Sequence, residues 1–147
     1  MEEEFHNHMR IPWHDYTRKS IGRPITEASL SEKASIIGRT GIMLLSCGTG
    51  AWRVRSSMNT LARKLGITCT ADIGLLSIEY TCIDGGNCYT ESLCLFNTGV
   101  NTSKLYRMEL FVNKFSKNCK KMSGDELHTL LDQIHEIHGF YSPPFLV

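Results

Sequence analysis

The sequence predicts an α+β domain in the order α-α-β-β-β-α-α, with the helices packed on a small antiparallel sheet. Apolar residues recur every three to four positions in two stretches before residue 66 and in two after residue 101, as in amphipathic helices. Between these stretches the period changes to two, and Asp-Gly-Gly-Asn at 84–87 separates two alternating runs, as in a β-hairpin.

Composition places the chain among ordinary globular proteins. Its 147 residues are 41% hydrophobic and 21% charged, and the net charge of +1 argues against a nucleic-acid partner bound by phosphate neutralisation. No apolar run approaches the ~20 residues of a spanning helix, and the acidic N-terminus does not resemble a signal peptide. We therefore expect reduced thiols, most of them buried, at Cys47, Cys69, Cys82, Cys88, Cys94 and Cys119.

Residues 1–28 are predicted to be an extension, because charges, aromatics and prolines alternate there without a sustained period. Within it, Pro12, Trp13 and Tyr16 could dock on the domain as an apolar latch. A single domain is expected over 29–141.

The first helix begins at a capping box, Ser29 to Glu32, and ends at Cys47-Gly48. Gly38 and Gly41 each cost about 1 kcal/mol of helix propensity, which predicts that a neighbouring helix or strand approaches closely there. The second helix is predicted over 50–65, with an apolar stripe of Val54, Ser57, Met58, Leu61 and Leu65.

Strands are predicted over 67–72, 75–82 and 88–96, and the inward series of the second comprises Leu76, Ile78, Tyr80 and Cys82. Asn101 is the expected N-cap of a helix that carries Leu105, Met108, Val112 and Phe115 at helical spacing. A second capping box, Ser123 to Glu126, opens a last helix that is predicted to end at Gly139.

A polar series on the last helix could bind a metal ion. His128, Asp132 and His135 occur at i, i+4 and i+7 and share one face, which His138 extends. The alternative interpretation, which we favour, is a solvated polar face. His6, His8 and His14 form a weaker set, and we predict no cofactor and no metal.

Three residues are weak candidates for catalysis. Cys47 stands at a helix end beside glycines, although no histidine is placed near it by local spacing. Asp72 and Glu79 are identified as the acidic residues inside the predicted sheet and could do acid–base work. Ordinary packing explains the Cys47 thiol equally well, and half-exposed positions in the sheet explain Asp72 and Glu79.

A ligand-binding site is predicted where the second helix begins. The amides of Thr49 and Gly50 could hold an anion at the helix N-terminus, with Arg53 as a fork for a carboxylate and Asn101 across the sheet end. An ordinary turn between two helices is the competing interpretation.

Taken in their order along the chain, the predicted helices, strands and turns resemble the soluble N-terminal domain of the ThrE-like threonine/serine exporter family. The resemblance covers roughly residues 30–140 and lies in Gly-Ile-Met-Leu-Leu-Ser-Cys-Gly at 41–48, Arg53-Val54, Met-Asn-Thr-Leu-Ala-Arg-Lys-Leu-Gly at 58–66 and Thr-Gly-Val-Asn-Thr-Ser-Lys-Leu at 98–105.

The resemblance implies an accessory, gating or substrate-binding domain at the cytoplasmic face of the cell membrane. It implies as partners a membrane-embedded exporter region, in the same or an adjacent chain, and a small amino acid such as threonine or serine. Residues 142–147 would then lead toward that membrane region. Homo-oligomerisation is a further expectation.

Three alternatives stay open. Some relatives resemble dicarboxylate exporters, and the family domain also looks hydrolase-like. Gly50 and Arg55 stand where family members often carry acids, which disfavours hydrolysis. The third alternative is a free-standing ligand-binding or assembly module that dimerises through a sheet edge or the Gly38/Gly41 face.

Overall fold

Helices cover one face of a three-stranded sheet in the computed structural model, which describes residues 11–137. This confirms the predicted α+β class and element order, with one short helix added at the start. The helices are α1 (Trp13–Tyr16), α2 (Leu30–Ser46), α3 (Ala51–Lys64), α4 (Thr102–Asn118) and α5 (Gly124–His135). The strands are β1 (Thr68–Ile73), β2 (Ser77–Asp84) and β3 (Asn87–Cys94), and short 3-10 turns occupy Arg18–Ser20, Ile25–Glu27 and Cys119–Lys121.

Helix α2 runs through the middle of the molecule. Every residue from Glu32 to Leu45 is buried, because α3, α5 and the sheet pack around the helix. A helix covered on all sides must bury its polar side chains too, and each of them then needs a partner.

Two glycines allow this close packing. A Cβ on Gly38 would lie 2.1 Å from the Tyr80 hydroxyl oxygen, and one on Gly41 would lie 2.5 Å from the Met58 sulfur. The predicted close approach of a strand and a helix is therefore confirmed. The alternative that this glycine face forms a dimer is wrong, because Tyr80 and Met58 of the same chain already occupy it.

The sheet is an antiparallel meander in the order β1-β2-β3. Ile78, Tyr80 and Cys82 of β2 face the helices and are buried. Strand β2 begins later than predicted, at Ser77, because Gly74 and Ser77 close a turn that leaves Leu76 outside the strand. The other sheet face is mostly exposed and polar.

The predicted helix starts are confirmed by their capping hydrogen bonds. The side-chain oxygens of Ser29, Asn101 and Ser123 each accept a hydrogen bond from the backbone amide three residues later, at 3.4, 3.0 and 3.1 Å. Helix α5 ends at His135 rather than at the predicted Gly139, which lies outside the described residues. It closes early because the Ile137 amide donates to the Ile134 carbonyl oxygen, a tighter spacing than in an α-helix.

The segment before α2 packs on the domain. The Trp13 side chain is 3% exposed, Tyr16 is half-buried and Ile25 is fully buried. The Ile25 amide donates to the Met122 carbonyl oxygen at 2.7 Å. The docking of Trp13 and Tyr16, which the sequence left open, is therefore observed, whereas Pro12 is exposed. Ile25 joins Trp13 in the core.

The six cysteines are all free thiols. Four of them are buried, as expected of small apolar side chains, whereas Cys94 is half-buried and Cys88 is exposed near the hairpin turn.

We expect Gly38→Ala to lower the free energy of unfolding by about 2 kcal/mol, measured by urea titration, since the new methyl group collides with the buried Tyr80 ring. Gly41→Ala should cost less, because the flexible Met58 side chain can move. Gly86→Ala is the control, since nothing lies within 4 Å of its Cβ. Equal stability of the Gly38 and Gly86 variants would contradict the close approach.

Candidate functional site

A network of charged and polar side chains, buried at Ser35, Arg39 and His128 and half-exposed at its outer members, joins α1, α2 and α5. We call it the Arg39 cluster, and it consists of His14 from α1, Ser35 and Arg39 from α2, and Asp125, His128 and Asp132 from α5. It assembles because the buried helix α2 carries Arg39 on the side where α5 packs.

The Arg39 guanidinium is held from two sides. Its Nη2 donates to Asp132 Oδ1 at 2.6 Å, and its Nη1 donates to the His128 carbonyl oxygen at 3.1 Å. The Trp13 ring lies alongside, with its centroid 5.7 Å from the guanidinium carbon. Burial lowers the pKa of Arg39, and the Asp132 carboxylate opposes that effect.

One donor of this guanidinium is unused. The Arg39 side chain is 6% exposed, yet its buried Nε has no hydrogen-bond partner among the described residues. An unsatisfied buried donor costs about 1–3 kcal/mol, which a bound acceptor would recover.

His14 bridges two carboxylates. Its Nδ1 donates to Asp125 Oδ1 and its Nε2 donates to Asp132 Oδ2, both at 2.7 Å. Both ring nitrogens must carry protons to donate, so the ring is an imidazolium. Partial burial lowers the pKa of His14, but the two carboxylates outweigh it and the pKa is raised.

His128 is neutral and fully buried. Its Nδ1 accepts from Arg39 Nη1 at 3.2 Å, so the ring proton is on Nε2, which lies 3.0 Å from Ser35 Oγ. Burial, reinforced by the charges of Arg39 and His14, lowers the pKa of His128 to about 3. The Ser35 hydroxyl donates a hydrogen bond to the Glu32 carbonyl oxygen, so His128 is the donor in this serine–histidine pair and is not arranged as a base for the serine.

The predicted polar face of α5 is therefore not solvated at His128, where both ring nitrogens have protein partners. Asp132 is shared between Arg39 and His14, and half-buried His135 lies further along the helix. In the part of the chain from 11 to 137, no group of three His, Cys, Asp or Glu residues could hold a metal ion. His6, His8 and His138 lie outside the described residues.

A cavity of about 430 Å³ adjoins the Arg39 cluster. The segment around α1 and the end of α5 supply its walls, which combine an aromatic ring with charges of both signs. The lining residues are Ile11, Pro12, Trp13, His14, Asp15, Arg39, Asp132, His135 and Glu136.

The residues predicted to bind a ligand lie elsewhere, at the junction of α2, α3 and α4. Gly50 is the N-cap of α3, half-buried Thr49 precedes it, and Arg53 pairs with Glu109 of α4. Asn101 is buried, and its side-chain oxygen already accepts from the Lys104 amide. The structure brings these segments to one end of the domain.

The candidate catalytic residues are dispersed. The Cys47 thiol is buried and donates to the Met43 carbonyl oxygen at 3.2 Å, and burial raises its pKa. Asp72 and Glu79 face each other across β1 and β2 on the exposed sheet face. A thiol held in the protonated form is a weak nucleophile.

Sequence reasoning missed Glu91, a further acidic residue of the sheet, which lies in β3 on the helix-facing side. Its carboxylate accepts from the Tyr16 and Tyr80 hydroxyls at 2.9 and 3.0 Å and from Tyr89 at 3.4 Å. It was detectable, since alternation from buried Leu93 places residue 91 on the inner face. No local pattern in the sequence around Arg39 indicates that it belongs to a site.

The chain matches the family model described as "Putative threonine/serine exporter" over residues 35–147, a span that includes Arg39, His128 and Asp132. No curated protein and no solved structure gave a match. Within residues 11–137, no helix is long and apolar enough to cross a bilayer.

Above pH 6.5 we expect the free energy of unfolding to fall less steeply with pH in His14→Gln than in the wild type. The pKa of His14 is raised in the folded state, so its contribution is complete below about pH 6.5, the unfolded value, and is lost as pH rises through the folded pKa. Urea midpoints from pH 5 to 9 measure this effect.

The control for that series is His135→Gln. The pKa of His135 is lowered, mainly by burial, so its replacement should alter only the acid side of the profile. Parallel profiles of wild type and His14→Gln above pH 6.5 would contradict the imidazolium bridge.

Glu91→Ala should lower the free energy of unfolding by about 2 kcal/mol, since buried Tyr80 and half-buried Tyr16 lose their shared acceptor. Glu91→Gln should cost less, because the amide oxygen still accepts. Glu79→Ala, on the exposed sheet face, should change stability by no more than about 0.5 kcal/mol. Equal costs for the two alanine variants would contradict a structural role of Glu91.

Proposed function

The chain belongs to the threonine/serine exporter (ThrE) family, and from that premise we propose that it forms a substrate-binding, gating domain that takes a small amino acid into the cavity beside Arg39. The domain stands at the cytoplasmic face of the membrane, with the membrane-embedded exporter region in the same or an adjacent chain. It performs no bond chemistry.

The observation that carries the proposal is Arg39, which lines a cavity of about 430 Å³ and whose buried Nε has no hydrogen-bond partner among the described residues. A ligand carboxylate is the acceptor that a buried guanidinium binds most strongly. Because Asp132 and the His128 carbonyl already hold the Nη atoms, the guanidinium is fixed in place before a ligand arrives, and little ordering entropy is lost on binding.

The other residues that line the cavity can accommodate the ammonium group and the short side chain of an amino acid. Glu136 is an exposed carboxylate that lines the cavity and can attract an ammonium group. Asp15 lines it too, but its carboxylate already pairs with Arg18. Ile11, Pro12 and the Trp13 ring offer apolar contact for a short side chain. The cavity falls within the usual size range of small-molecule sites.

Gating follows from the position of the cavity between α1 and α5. A ligand that contacts both elements stabilises the docked state of α1 over any state in which α1 is displaced. The His14 bridge to Asp125 and Asp132 holds the same two elements together. Ligand occupancy and docking of the N-terminal segment are therefore coupled.

Two observations favour binding over hydrolysis. The thiol of Cys47 lies apart from the sheet acids Asp72 and Glu79. In the Ser35–His128 pair, the histidine nitrogen that faces the serine carries the proton and so is not a base for it. Each candidate nucleophile lacks the neighbouring base that would activate it in the described part of the chain.

Calorimetric titration of the 147-residue chain with L-threonine, L-serine and succinate tests the binding site. We expect threonine or serine to bind, and a ligand at 100 times its Kd to add about 2.7 kcal/mol to stability. Arg39→Lys keeps the positive charge but removes the Nε donor, and it should weaken binding at least about tenfold. Glu136→Gln should weaken threonine more than succinate.

Arg53→Gln is the matched control, because it removes the guanidinium of the site predicted at the start of α3. Loss of binding in Arg53→Gln alone would place the ligand there instead. Binding of succinate but not of threonine would favour the dicarboxylate alternative, and binding of neither would overturn the substrate-binding proposal. Unchanged threonine efflux from cells that lack the gene would contradict the exporter role.

A further inference from the structure

Exposed apolar side chains gather at one end of the domain, which we call the loop end. Here α2 ends, α3 and α4 begin, β1 is joined to β2, and β3 ends. Eight large apolar side chains are exposed in residues 11–137, and six of them lie at the loop end: Trp52, Leu75, Leu76, Phe96, Val100 and Tyr106.

Specific contacts show that these segments share one end. The Asn101 amide donates to the Cys47 carbonyl oxygen, and the Val100 Cα would lie 3.3 Å from a Cβ on Gly48. Arg55 of α3 donates to the Ala71 carbonyl oxygen of β1, 3.4 Å away. The Leu95 amide donates to the Leu76 carbonyl oxygen and brings the end of β3 against the β1–β2 link.

The apolar side chains project from turns and helix starts and are strongly exposed. Trp52, in the first turn of α3, is 77% exposed, and Leu75, in the link between β1 and β2, is 90% exposed. Apolar side chains that project one by one from several loops can insert separately into a lipid bilayer. A protein partner would need a separate pocket for each of them. Trp and Tyr in particular favour the boundary between lipid and water.

The charges of the helix starts point to anionic headgroups. The first turns of α3 and α4 contain no acidic residue. Arg55, Lys104 and Arg107 lie in or next to them, and Arg53 is neutralised by its pair with Glu109. The exposed acids Asp72 and Glu79 flank the β1–β2 link, so the positive charge of the loop end is confined to the helix starts. The positive ends of both helix dipoles add to this charge, and cations beside apolar anchors are typical of proteins that bind acidic bilayers.

The chain also leaves α5 at this end. His135, in the last turn of α5, is close enough to Lys104 at the start of α4 for the two to interact electrostatically. The family match continues past residue 137 from there. A membrane-embedded region connected at this end would hold the loop end near the bilayer.

We propose that the loop end is a membrane-docking surface, which inserts Trp52, Leu75 and Phe96 into the headgroup region of an anionic bilayer. None of the six exposed apolar residues of the loop end lines the cavity at Arg39, and the proposal does not depend on amino-acid binding.

Co-flotation of the 147-residue chain with phosphatidylcholine vesicles, with and without phosphatidylglycerol, tests the proposal. We expect binding to the anionic vesicles that weakens as salt is raised. Trp52 emission should shift to shorter wavelength, while Trp13 contributes a constant background because it is already buried. The double variant Trp52→Ser/Phe96→Ser should bind at least about tenfold more weakly, since two large apolar anchors are lost.

Val100→Ser and Ile21→Ser are a matched pair, because both side chains are 66% exposed. Ile21 lies at the other end of α2, where neighbouring Ser20 contacts Glu32. Val100→Ser should weaken vesicle binding and Ile21→Ser should not, with circular dichroism confirming that all variants fold.

Three results would overturn the proposal. The first is the absence of binding to anionic vesicles, and the second is equal binding by the double variant and Ile21→Ser. The third is a concentration-dependent dimer that the double variant abolishes while wild type does not bind vesicles, since the loop end would then join two copies of the chain. Both readouts are taken without amino acids, so they are distinct from a failure of the binding site at Arg39.

Discussion

A positive charge inside a fully covered helix is the constraint on which the rest of this structure depends. Arg39 lies midway along α2, where removing its guanidinium from water would cost several kcal/mol without compensation. Asp132 supplies the opposite charge, and the His128 carbonyl supplies a second acceptor. Because both belong to α5, this requirement sets the face that α5 turns toward α2.

The same carboxylate links the core to the N-terminal segment. Asp132 uses one oxygen for Arg39 and the other for His14, and Asp125 holds the second nitrogen of His14. Two cations and two carboxylates therefore balance within one network, with neutral His128 beside them. A change in the charge of His14 or at the cavity affects the attachment of α1 and the environment of Arg39 together.

Local features of the fold were predictable because they depend on neighbours in sequence. The caps at Ser29, Asn101 and Ser123 need only the next three residues, and the hairpin needs the glycines at its turn. Strand boundaries shifted where a turn outside the alternating pattern took over, as at Gly74. The predicted docking of Trp13 rested on its size and apolarity.

The sequence by itself determined the α+β class, the element order and the helix starts, because periodicity and capping act within a few residues. Only the tertiary structure decided the candidate site. Arg39 and Asp132 are 93 positions apart, and His14 and Asp132 are 118 apart, so no local spacing could reveal either pair. Packing also reversed the interpretation of His128, since a histidine on a polar stripe becomes a buried, neutral acceptor once α2 covers it.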